Sequence, residues 1–179
     1  MGQTTFSGPV RSLAGFSPDG WGNIVNHPHT STTLALTAAD HGGRIVSLTG
    51  DHSLVATLPA INATDPVDDT APGQTCNFGL HFRLIISNTI TSLTVNTTGT
   101  DEFFGGLTIS TEVAGASNTF FANDGDNFNS MVIDGATKGW EPGGILDLVA
   151  TDASVGGHLR WNITNSHLLG IGTVVTPFV

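Results

Sequence analysis

A chain of 179 residues with 5 Lys and Arg against 15 Asp and Glu, a formal net charge of -10, lacks the clustered cations needed to bind nucleic-acid phosphates or an anionic membrane surface. Its length suits one domain with a full hydrophobic core. Only 11% of residues are charged, against about 25% in an average globular protein. Thr, Ser, Asn and 23 Gly take their place, a composition poor in helix formers and suited to β-structure that buries hydroxyl and amide groups with partners.

Residues 1–29 form the first segment. Gly and Pro recur every few positions with no sustained period, yet Phe6, Leu13, Phe16, Trp21 and Ile24 are spaced along it. That pattern predicts an extended N-terminal arm whose apolar side chains fill pockets on a neighbouring surface; a loop packed on its own domain is the alternative. MGQTTFSGPV has no apolar core segment, so no signal peptide is expected. No run approaches the ~20 apolar residues of a membrane-spanning helix.

From residue 30 to the end the period is two, which predicts strands with one buried face. TTLALT puts Leu34 and Leu36 on one side. RIVSL and SLVATLPA, separated by Gly50-Asp51-His52, read as a β-hairpin that sends Leu48, Leu54 and Leu58 to the core. The 62–74 stretch, NATDPVDDTAPGQ, reads as a long exposed acidic loop. FGLHFRLII then alternates Phe78, Leu80, Phe82, Leu84 and Ile86 with His81 and Arg83. SLTVN, GLTIS, SMVID, GILDLVA, HLRWNIT and GTVVTPF follow, separated by Gly-rich turns. The fold class expected is all-β, an antiparallel β-sandwich or jelly-roll-like barrel, with no repeat of solenoid length.

Several constellations invite a chemical reading. Asp40-His41 and Asp51-His52 each have Ser nearby, but neighbouring strand residues face opposite ways, and no Gly-x-Ser-x-Gly elbow presents a nucleophile. They read as polar turn residues. His27-Pro-His29 places two imidazoles at metal-pair spacing, with His41 and His52 close behind; no further ligand stands at a recognisable spacing, so no metal site is expected. For the same reason a cupin-like oxygenase lacks its Glu, the first glutamate being Glu102. Asn123 to Asn127, NDGDN, resembles a calcium loop without the EF-hand order or its Glu. Cys76 is the only cysteine, which rules out an intramolecular disulfide. The Asn-x-Ser/Thr matches at Asn62, Asn96 and Asn162 read as chance in an Asn- and Thr-rich chain. Trp161 is expected in the core, while Trp140, in KGWEPGG, is the candidate exposed aromatic. No catalytic residues and no cofactor are expected.

An ordered set of pieces carries a resemblance. TLALTAADHGGRIVSL and ATLPA come first, then the FRLII strand, the Leu-Thr-Val strand, IDGATKG, GGILDLVATD, a strand with Trp161 and the ending GIGTVVTPFV. Together they resemble the capsid decoration, or cement, proteins of tailed bacteriophages, particularly marine and cyanobacterial phages. The acidic 62–74 loop and the long N-terminal segment depart from that pattern. The resemblance implies a non-enzymatic virion protein on the capsid exterior, made in the host cytoplasm. Its implied partners are the major capsid protein and itself, as a homotrimer or alternatively a dimer, with no nucleic acid or membrane. A receptor- or carbohydrate-binding head domain of a tail fibre or spike is the competing expectation, and a small hydrolase or oxygenase comes third.

Overall fold

The computed structural model describes residues 24–27, 30–50, 52–62, 77–88, 90–111, 118–123, 128–134, 137–155 and 158–179. The first half alternates between two sheets. β1 (Ile24–His27), β3 (Ile45–Leu48) and β5 (His81–Ile86) lie side by side in one sheet, while β2 (Thr33–Ala35), β4 (Ser53–Thr57) and β6 (Ser92–Asn96) lie side by side in the other. All four contacts within these triplets are parallel. The chain therefore winds as a coil of three turns, each contributing one strand to each sheet.

The expected hairpin is corrected by this topology. RIVSL and SLVAT do not pair with each other, because β3 and β4 belong to different sheets. Val46 and Leu48 in β3 and Leu54 and Ala56 in β4 all belong to one buried cluster, while the hydrogen bonds of each strand go to neighbours in its own sheet. Leu48, Leu54 and Leu58 are buried as expected.

A hidden spacing accompanies the coil, where the sequence showed no repeat. Ile24 pairs with Ile45 and Thr33 with Val55, steps of 21 and 22 residues. Ile45 pairs with Arg83 and Val55 with Thr94, steps of 38 and 39 residues. The longer step contains the acidic linker, whose base is clasped shut: Asn62 N–H donates to Asn77 Oδ1 at 2.7 Å and Asn77 Nδ2 to the Ala60 carbonyl at 2.9 Å. Residues 63–76 lie outside the described residues.

The second half is largely antiparallel. β7 (Glu102–Thr111), β8 (Thr119–Asn123), β10 (Ile145–Val155) and β11 (His158–Gly170) extend the first sheet to seven strands in the order β1-β3-β5-β10-β11-β7-β8. β9 (Ser130–Asp134) completes a four-stranded sheet, β2-β4-β6-β9. β7 and β11 are parallel, so both sheets are mixed and the all-antiparallel expectation is corrected, while the all-β class stands. A single helical turn, α1 (Ala38–His41), separates β2 from β3.

Both sheets contribute to one hydrophobic cluster, with Trp161, Phe82 and Phe103 its largest fully buried side chains. Trp161 and Phe82 are tilted against each other with centroids 5.5 Å apart, a favoured aromatic arrangement. The ending GTVVTPF, expected as a strand, instead runs along β9: Pro177 accepts from the Val132 N–H and Val179 donates to the Ser130 carbonyl. It covers the β9 edge without joining a named strand.

Candidate functional site: the outer face of the seven-stranded sheet

The polar pairs that looked catalytic are used by the backbone. Thr37 is the N-cap of α1; its Oγ1 accepts the Asp40 N–H at 3.0 Å and donates to Asp40 Oδ2 at 2.8 Å, reciprocal bonding of the capping-box kind. His41 Nδ1 accepts the Thr37 N–H at 3.1 Å. Burial lowers the His41 pKa, partly offset by Asp40, so the neutral ring that accepts this bond is the favoured form. His52 Nε2 donates to the Ser31 carbonyl at 2.7 Å, and Asp51 lies outside the described residues.

The outward face of the large sheet gathers charged and aromatic side chains. In β5, Phe82, Leu84 and Ile86 point into the core, which turns His81, Arg83 and Ile85 to the other side. The register sets Arg83 between Ile45 of β3 and Asp147 of β10, Ile85 beside Ile145, and His81 beside Val149. Asp147 is an outward-facing carboxylate that is nonetheless buried, its side chain 2% exposed. Arg83 covers it as a fork, Nε to Oδ1 and Nη2 to Oδ2, both 2.7 Å, and the His81 ring stands 3.7 Å away. The bond to Asp147, followed by its charge, raises the Arg83 pKa further. A bulge in β11, where Asn165 takes φ 41°, lets Ser166 Oγ accept the Asp147 N–H at 2.9 Å.

A second ion cluster closes the end of the same face. Arg160 of β11 sits beside Glu102 of β7, with Nη2 3.8 Å from Oε2. His158 Nδ1 lies 3.4 Å from Glu102 Oε1 and donates to the Thr100 carbonyl at 2.8 Å. The Arg160 guanidinium stacks on Phe104, 4.8 Å from the ring centroid, a favourable cation–π arrangement. Among the described residues Arg83 and Arg160 on this face are thus each matched by a carboxylate, with Val149, His81 and Asn162 between the two clusters.

At the far edge, Phe120 of β8 is 64% exposed. Its ring lies over Gly106, where an added Cβ would come within 2.5 Å of it. β8 was missed in the sequence because TFFAN is short and flanked by turn-like residues. Among the described residues the face thus combines paired charges, the cross-strand pairs Ile24–Ile45 and Ile85–Ile145, and one protruding aromatic. Among the described residues no group of three or more His, Cys, Asp or Glu gathers to hold a metal ion.

The remaining expected residues fall elsewhere. Phe6, Leu13, Phe16 and Trp21 lie outside the described residues, as do His29, Cys76 and residues 124–127. Ile24 opens β1 and is 56% exposed, outward beside Ile45. Asn123, the first residue of the calcium-like stretch, is buried in β8 with Nδ2 bonded to the Phe103 carbonyl. Trp161 is buried; Trp140 is half-buried against the core with its Nε1 enclosed. No protein-family model, curated protein or solved structure matches the chain.

Proposed function

We propose that the chain is a virion structural protein that binds the outside of a bacteriophage capsid as a decoration, or cement, subunit, assembling as a homotrimer. The two sheets are read as the layers of a sandwich, with the outer face of the seven-stranded sheet as a contact layer. The observation that carries the reading is that face: paired charges, the cross-strand pairs Ile24–Ile45 and Ile85–Ile145, and the protruding Phe120. Such a surface binds by excluded apolar area with few charges to desolvate. The ordered sequence resemblance and the weakly charged composition support the same reading. Many copies acting together would resist outward pressure on the shell, and closed symmetry lets each chain present the same patch.

A sugar-binding tail-fibre head would want an exposed aromatic platform, and Trp140 packs against the core instead. In purified virions the protein should stand in a fixed, high copy ratio to the major capsid protein. Phe120→Asp should weaken its binding to shells while leaving its unfolding temperature unchanged. Presence only at the tail, or in a few copies, would overturn the reading.

A further inference from the structure

We propose that His27, His52 and the Ser31 carbonyl form a binding site for a borderline divalent metal ion of the zinc or nickel class. The two imidazoles come from different turns of the coil, His27 from the end of β1 and His52 from just before β4. Their Nε2 atoms meet at one oxygen, 3.1 Å and 2.7 Å from Ser31 O. Two donors about 2.1 Å from a common ion lie about 3.0 Å apart at a right angle and about 3.4 Å apart at a tetrahedral angle. These two nitrogen–oxygen separations suit nearer octahedral than tetrahedral angles, and each ring must turn from its hydrogen bond so that its Nε2 lone pair points beside the oxygen, at a shared ion.

Imidazole nitrogen is the ligand type that zinc, nickel and copper share. With protons on both Nε2 atoms, the two lone pairs of the carbonyl satisfy both rings as a hydrogen-bonded triad. Moving each proton to Nδ1 turns both Nε2 lone pairs toward the ion. His27 is buried, but Ser31 and His52 are half-exposed, which leaves one side open for water ligands. The ion would tie the β1–β2 connection to the segment entering β4, stapling the first turn of the coil to the second. Where the sequence pairs His27 with His29, the described residues bring His52, 25 positions on, to the same carbonyl.

Titration calorimetry of the full-length, tag-free protein with zinc and nickel salts tests the site. One ion per chain should bind, and the unfolding temperature should rise with it. His52→Gln keeps an N–H for the Ser31 carbonyl but is a poor ligand, so it should fold and bind at least about tenfold more weakly. His27→Gln serves as the second variant should His52→Gln fail to fold. His29→Ala should bind as the parent does; if both His29→Ala and His52→Gln lose binding, His29 is an additional ligand of the same ion and the site stands. No binding by the parent, parental binding by His52→Gln, or loss in His29→Ala alone would overturn the proposal.

Discussion

Asp101 is buried beside the amide of Ile61, its Oδ2 accepting that N–H at 2.7 Å. Burial raises its pKa, and the Ile61 bond offsets only part of the rise. A carboxyl whose folded-state pKa lies above its unfolded value holds its proton more tightly when folded. Its contribution to stability is therefore full below the unfolded value and is lost as pH rises through the folded one. Asn at this position keeps the acceptor and cannot titrate. Asp101→Asn should thus remove this fall in stability above the ordinary aspartate range and equal or exceed the parent at neutral pH. Thermal unfolding followed from about pH 3 to about pH 7 checks this; an unchanged profile would mean that Asp101 does not titrate differently on folding. Nothing in the sequence around TGTDEFF marks this aspartate as buried, since its partner lies 40 positions away. The local capping by Thr37, by contrast, is written in Thr-Ala-Ala-Asp.

Among elements, alternation was legible and pairing was not. SLTVN and SMVID became β6 and β9 with the bounds the pattern implies, because period-two hydrophobicity directly reports a strand with one buried face. The same pattern does not say which sheet a strand joins. RIVSL and SLVAT looked like a hairpin because a Gly turn joins them, yet that turn carries the chain from one layer to the other. β7 was recognised only from Gly106 onward, since Gly105-Gly106 breaks its pattern; the strand runs from Glu102 straight through them. Gly105 takes φ +92, and a Cβ on Gly106 would lie 2.5 Å from both Phe120 Cζ and the Phe121 carbonyl oxygen. Gly106→Ala should therefore push β8 away and cost about 1–3 kcal/mol, as overpacking does. Adding Phe120→Ala should relieve the ring contact but not the carbonyl contact, so the double variant should recover only part of the loss. Thermal unfolding and amide exchange in β8 measure both effects; a Gly106→Ala protein of parental stability would sink this account.

For the whole molecule, a net charge of -10 keeps free subunits apart in solution, so the assembly proposed above would rest on local contacts that outweigh repulsion. One such contact is proposed for the segment carrying Phe6, Leu13, Phe16 and Trp21, which precedes the first described strand. β1 begins at Ile24 and is hydrogen-bonded to β3, so removing residues 1–23 keeps every described strand, whereas a longer deletion would strip an edge strand. The truncated protein should unfold at the parental temperature and lose co-sedimentation with capsid shells. Because the contacts invoked are apolar, binding of the full chain should persist in salt concentrations that screen surface charge, where the Debye length is only about 3 Å at 1 M. Undiminished binding after truncation would move the grip to the outer sheet face, where Phe120→Asp would then have to abolish it.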